Sequence, residues 1–135
     1  PAKLEVWDDY GSPAERVPVS DARWHWTGTW ETGRGGRQIS AAKGASAEIA
    51  FDGRGAIVVG QYLPDGGLAD IYLDGKLVAT VDVYPDEDAQ KGGESVWHEF
   101  SLKPGRHTVK LVVKGEPYKG SRGAKIGLTD LVVFR

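Results

Sequence analysis

Short apolar runs that end in Gly-containing turns constrain this chain more than any other feature. Three phrases carry the pattern: Gly44 to Phe51, Ala69 to Gly75, and Leu102 to Val109. Each is a strand meeting a tight turn. In this order they predict an all-β chain folded as an antiparallel β-sandwich. Composition agrees. Val outnumbers Leu and there are 19 Gly, so pleated strands and turns are both well supplied. No stretch keeps helical apolar spacing over three turns.

The length of 135 residues predicts one domain, residues 1–135, large enough to bury a core without disulfides or metals. The net charge is −2 with Lys and Arg scattered, which is no nucleic-acid footprint. No apolar run approaches the roughly 20 residues that span a bilayer. The chain has no Cys, which removes disulfides, thiolate metal sites and a Cys nucleophile together. It begins at Pro1 and has no Met, as expected of a mature or excised piece whose targeting segment is gone.

Residues 8–22 are polar and interrupted by proline, and read as a loop. Arg23–Glu31 reads as a strand with Trp24, Trp26 and Trp30 on one parity. A Gly/Arg loop follows at Gly33–Gly36, then strands at Ile39–Lys43 and Ala45–Phe51. In the second of these, Ala45, Ala47, Ile49 and Phe51 face in, and Ser46 and Glu48 face out. Ala56–Tyr62 is apolar on both parities, as a central strand would be, and Gly60 within it marks a bulge or a close backbone approach. Pro64 to Gly67 is a turn. A hairpin follows, Ala69–Leu73 with Leu77–Val83. A three-residue loop, Leu73-Asp74-Gly75, pairs Ile71 with Leu77 and Ala69 with Ala79 and so keeps the apolar set on one face. Residues 84–95 and 115–124 are long loops. Val96–Leu102, Arg106–Lys114 and Ala124–Arg135 complete a set of eight to ten strands.

These phrases, with Gly28-Thr29-Trp30, Leu73-Asp74-Gly75 and Gly105-Arg106-His107-Thr108, resemble the galactose-binding-domain-like jelly rolls. Those are carbohydrate-binding-module-like sandwiches appended to glycoside hydrolases, polysaccharide lyases, esterases and related secreted proteins. The resemblance runs from about Asp8 to Phe134. It implies a non-catalytic, extracytoplasmic module, with a catalytic domain in the same parent chain. It transfers no ligand, because the loops that hold ligands in such folds vary freely.

The candidate ligand contacts come from aromatic residues on the wrong side. Trp97 shares parity with Ser95, Glu99 and Ser101, while Val96, His98, Phe100 and Leu102 supply the inward side. An indole on a wet face suits sugar stacking. Tyr84 and Trp97 flank one long loop, and Tyr118 lies in the other. Trp24, near a loop at its strand start, joins them, whereas Trp26 and Trp30 read as core. Glu116, Lys119 and Arg37 are the candidate readers of hydroxyls or a carboxylate.

The histidines show no metal spacing and no partner nucleophile; His98 and His107 read as structural. No buried acid pair of the glycosidase kind is visible, nor a G-x-S-x-G elbow. Asp130 interrupts the apolar last strand, so it must be paired or sit at a bulge. The resemblance adds another reading, a structural Ca²⁺ near the chain ends held by Asp130 with Asp8 or Glu5; no cofactor is otherwise required. The expectation is a carbohydrate-binding module of weak single-site affinity, roughly 10 μM to 1 mM. The alternatives are a packing module of a larger enzyme with no ligand of its own, and a small hydrolase.

Overall fold

The computed structural model describes residues 15–84, 91–119 and 121–135. Its strands are β1 (Glu15–Pro18), β2 (His25–Thr27), β3 (Glu31–Thr32), β4 (Gln38–Ser40), β5 (Ser46–Gly53) and β6 (Gly55–Tyr62). They continue as β7 (Gly67–Leu73), β8 (Lys76–Asp82), β9 (Lys91–Glu99), β10 (Gly105–Pro117) and β11 (Ile126–Phe134). A 3-10 turn at Arg34–Gly36 is the only helical piece among the described residues. One sheet runs β3-β4-β11-β6-β9, with β1 also on β11; the other runs β2-β5-β10-β7-β8. The two antiparallel sheets form a β-sandwich.

Strand alternation places the core between the sheets. Ala47, Ile49 and Phe51 of β5 meet Ile71 of β7, Val109, Leu111 and Val113 of β10, and Leu128, Leu131 and Val133 of β11. Strand β6 is apolar on both faces for a structural reason. Ala56 and Val58 face the core, while Ile57 and Val59 join Val132, Phe134 and Phe100 in a second cluster on the outer face.

Three local expectations are corrected. Residues 15–18, expected as loop, form β1, which pairs with β11 in the register Val17↔Leu131. The expected strand over Arg23–Glu31 is two strands. The chain turns at Gly28 and crosses from the β5 sheet to the β4 sheet. Trp26 and Trp30 still pack on the core, now at the edge where β2 and β3 end their respective sheets.

The β7–β8 hairpin has a two-residue loop, not three. Leu73 pairs with Lys76 and Tyr72 with Leu77. Asp74 and Gly75 take φ of 51° and 83°, the pair of positive values that a tight hairpin turn demands. The facing problem is solved one step later. A register shift makes Val78 an extra residue, after which Ile71 pairs with Ala79 and Ala69 with Val81. A bulge, rather than a longer loop, returns Ala79 and Val81 to the core, while Leu77, expected to face in, stays exposed.

Asp74 also ties the hairpin to β10. Its Oδ1 accepts from the Thr108 amide at 2.8 Å, and its Oδ2 lies 2.7 Å from His107 Nδ1. The other ring nitrogen, Nε2, is 2.6 Å from the Lys103 carbonyl oxygen. With an acceptor at each nitrogen, the ring is best satisfied as an imidazolium. The hydrogen bond to Asp74, and then that to Lys103, holds the His107 pKa above its usual 6.5. The His107 hydrogen bond in turn lowers Asp74 below its usual 3.8. Because the His107 value is raised on folding, its stabilisation is complete below about pH 6.5 and is lost as pH rises through the folded value. The Asp74 contribution is present above about pH 3.8 and is lost as pH falls through its lowered value. Thermal melts should therefore show a plateau across mildly acid pH and a decline on the alkaline side. His107→Gln should remove the alkaline decline; an unchanged decline in that variant would exclude His107 as its source.

Candidate binding surfaces

The ends of β8 and β10 converge over the start of β7. Pro117 pairs with Gly67, and the Val83 amide donates to the Gly67 carbonyl at 3.2 Å. The residues just beyond, Tyr84 and Tyr118, consequently meet. Their rings stack with centroids 5.7 Å apart and planes at 25°. The turn beneath is well tied: Asp65 pairs with Lys125 at 2.9 Å, and the Gly67 amide donates to the Lys125 carbonyl at 2.9 Å. Tyr118 is 41% exposed, and Tyr84 is half-buried. Two of the expected aromatic contacts are thus brought together at one end of the sandwich. Glu116, exposed and 4.0 Å from Lys114 Nζ, and exposed Lys119 flank Tyr118 in the chain.

The other expected contacts lie elsewhere. Trp24 is 5% exposed and belongs to the core, stacked on Trp26 at 5.5 Å. It is no surface platform. Trp97 is corrected as well. Trp97 pairs with Val58 but Ser95 pairs with Val59, so Val96 is an extra residue. The bulge turns Val96 and Trp97 toward the core together and sends His98 and Phe100 to the outer side. His98 is exposed, bonded to Ser95 Oγ at 2.9 Å and stacked on Phe100 at 5.3 Å. It is no core histidine. Trp97 fills the edge where β8 and β9 end their sheets, as Trp26 and Trp30 fill the opposite one.

Arg37 sits between the 3-10 turn and β4, half-buried, its Nε without a partner among the described residues. Strand β4, which follows it, lies toward the opposite edge from β8 and β9, so Arg37 stands apart from the tyrosine pair. Asp130 follows a register shift in β11 and bonds Arg16 Nη1 at 3.1 Å. It is both paired and beside a bulge. Asp8 and Glu5 lie outside the described residues, and no cluster of three or more His, Cys, Asp or Glu able to hold a metal occurs among those described.

A second concave region was not anticipated. The outer face of the β2-β5-β10-β7-β8 sheet carries two clefts, of about 500 and about 380 Å³, which share Glu48 and Thr108. The larger is rimmed by Arg23, Arg106 and Arg135 against Glu15 and Asp52. Arg23 is committed within that rim, bonding Glu15 at 2.8 Å and Asp21 at 3.0 Å. Its hydrogen bonds hold both carboxyls below their usual range.

Comparison with solved structures places this architecture. A family 35 carbohydrate-binding module from an environmental isolate matches with a TM-score of 0.55 at 13% identity, over 87% of this chain and 90% of that one. The fold is that of a carbohydrate-binding-module-like β-sandwich. A two-domain esterase active on acetylated mannans, co-crystallised with mannopentaose, contains the same sandwich. There the TM-score is 0.65 at 14% identity, over 93% of this chain and 38% of that one.

In sequence, this module-like sandwich is similar to two proteins of Flavonifractor plautii. One is named an A type blood α-D-galactosamine galactosaminidase, 30% identical over 104 residues, 73% of this chain and 9% of that protein. The other is named an A type blood N-acetyl-α-D-galactosamine deacetylase, 32% identical over 123 residues, 82% of this chain and 15% of that protein. The chain therefore spans about a tenth to a seventh of these relatives. No protein-family profile matches it. Among the described residues, no helix is long and apolar enough to cross a membrane.

Proposed function

We propose that this chain is a non-catalytic carbohydrate-binding module that holds a glycan at the loop end carrying Tyr84 and Tyr118. The observation that carries the reading is the stacked tyrosine pair, with one ring open to solvent, on a tied turn of a module-like sandwich. The exposed face of Tyr118 offers a flat apolar surface for the CH face of a pyranose, and its hydroxyl can donate or accept at the ring edge. Glu116 and Lys119 supply an acceptor and donors for sugar hydroxyls. Stacking on Tyr84 restricts the ring before the ligand arrives, which lowers the ordering cost of binding.

The names of the two relatives direct the choice of sugar. Glycans ending in α-linked N-acetylgalactosamine or galactosamine are the first candidates. The small share of each relative that is matched supports a role as an appended module, in a secreted parent chain whose catalytic domain lies elsewhere. Arraying the protein on mucin-type and plant-type glycans would test this. Tyr118→Ala should weaken capture of the preferred glycan by about 1–3 kcal/mol while leaving the melting temperature nearly unchanged. Undiminished binding in that variant would move the site away from the tyrosine pair. Turnover of a glycoside or ester by the chain would reject the non-catalytic reading.

A further inference from the structure

The end of the sandwich remote from the tyrosine pair carries surface features that the loop-end site does not use. The described fold begins and ends there: Glu15 pairs with Val133, and Arg135 Nη2 lies 3.9 Å from Glu15 Oε1. The turn at Arg54, the loop 100–104 and the Asp74-Gly75 turn complete that end, since Gly53 pairs with Gly105 and Gly55 with Phe134. These pieces form one rigid platform. The Glu99 carboxylate accepts from the Phe100 and Ser101 amides at 2.8 and 3.2 Å, and the Leu102 amide donates to the Arg54 carbonyl at 2.9 Å. His107 bridges the loop to the turn, with the Lys103 carbonyl at one ring nitrogen and Asp74 at the other.

Two kinds of side chain on this platform lack partners. Leu77 and Val78, just past the Asp74-Gly75 turn, are 51% and 46% exposed, the only exposed large aliphatic residues among those described. They sit on β8, which ends its sheet and so presents a strand edge unpaired among the described residues. Lys76, Lys103 and Arg54 are exposed and make no ion pair with the described residues. Arg106, by contrast, lies 3.6 Å from Asp52, and Arg135 is beside Glu15. Asp74 is committed to His107 and the Thr108 amide, and Glu99 to its two amides. The platform therefore has a cationic surplus in a chain whose net charge is −2. An exposed aliphatic pair flanked by uncompensated cations marks a contact surface for another protein.

We propose that this end docks on the neighbouring domain of the parent chain, against a face with an apolar centre and an acidic rim. The inference rests on the reading of the chain as an appended module, and adds which surface that module turns to its parent. Position favours a partner in the same chain. The two relatives continue far beyond their matched segments. Flanking chain joined beside Glu15 and Arg135 would hold a neighbouring domain near this end at high effective concentration. Charge favours a different surface over a second copy, because a two-fold contact would set Lys76, Lys103 and Arg54 against themselves. Leu77 and Val78 supply the apolar anchors and the three cations meet carboxylates, the mixed character of interfaces between domains of one chain. Docked this way, the module keeps Tyr84 and Tyr118 at its far end, turned to solvent.

The test is hydrogen exchange, read by mass spectrometry, on the isolated chain and on the same chain within its full-length parent. Peptides spanning 74–80 and 100–106 should exchange about tenfold more slowly in the parent, the effect of about 1.4 kcal/mol of added local stability. Peptides holding Tyr118 should exchange alike in both. Leu77→Asp combined with Lys103→Glu in the parent should return the two segments to the rate of the isolated chain and lengthen the particle in small-angle X-ray scattering. Both positions are exposed, so the isolated double variant should melt as wild type does and capture glycan equally. The two readings thus fail separately: a Tyr118→Ala variant that still binds glycan leaves docking standing, and equal exchange in both contexts overturns docking alone. Protection that survives the double variant would overturn it too. So would self-association of the isolated chain that Leu77→Asp abolishes, which would seat a second copy on the platform.

Discussion

Trp24→Ala is expected to cost about 3–5 kcal/mol of stability, the range for deleting a large buried aromatic side chain. For a domain of this size that is a fall of about 10–20 °C in melting temperature. The indole is 5% exposed in the inter-sheet core and stacks on Trp26, which meets Trp30 edge-on with centroids 5.0 Å apart. Its removal would leave a cavity that a two-sheet core cannot close without moving β2. Trp24→Phe is the informative companion. The Trp24 Nε1–H is buried without a partner among the described residues, so an apolar ring that fills most of the same space discards a donor that they leave unsatisfied and loses little else. The Phe variant should recover most of the lost stability, to within about 1.5 kcal/mol of wild type. Glycan capture by the folded Ala variant should match wild type. A variant that melts normally but no longer binds would return Trp24 to the surface.

The difference between what the sequence told of Trp24, Trp97 and Tyr118 is instructive. Alternation identified the core-facing residues of β5 and β10, and Ala69 and Ile71 of β7, because those stretches run regularly with one face turned to the other sheet. It failed wherever a bulge intervened. One extra residue at Val96 reverses the facing of the rest of β9, which is why Trp97 turned inward and His98 outward against expectation, whereas Leu102, past the strand's end, packs on the core as expected. The extra residue at Val78 had the opposite consequence. It restored a facing that the two-residue turn had broken, so Ala79, Val81 and Val83 were assigned to the correct side through the wrong loop, whereas Leu77, ahead of the bulge, faces out. Bulges have no sequence signature as sharp as a turn, and parity counted across one is unreliable. The tyrosine pair was legible for another reason: loop length and strand ends put Tyr84 and Tyr118 beyond their strands, and position there does not depend on parity. The clefts on the outer face of the β2-β5-β10-β7-β8 sheet were not legible. Arg23, Glu48 and Arg106 are far apart in the chain, and only the fold brings them to one cleft. Glu48 was correctly read as outward, but nothing local shows which residues stand beside it.

Gly60→Ala should be at least as damaging as a core truncation, although it adds only a methyl group. Gly60 lies in β6, hydrogen-bonded between β11 and β9, opposite Leu128 on one side and Glu94 on the other. A Cβ at this position would overlap the carbonyl oxygen of Gly127 and stand 2.9 Å from Val96 Cγ2. The first neighbour is backbone of the adjacent central strand. It cannot swing aside as a side-chain tip would, so relief requires β6 and β11 to part where both already carry register shifts. Overpacking in a well-filled interior costs about 1–3 kcal/mol and more where backbone must move, and here about 3 kcal/mol or more is expected. Urea unfolding should show a lower midpoint with an unchanged slope, since the same surface is exposed on unfolding. A loss below about 1 kcal/mol would mean that the strands separate easily at this point, and that the close approach of β6 to β11 is not what confines position 60 to glycine.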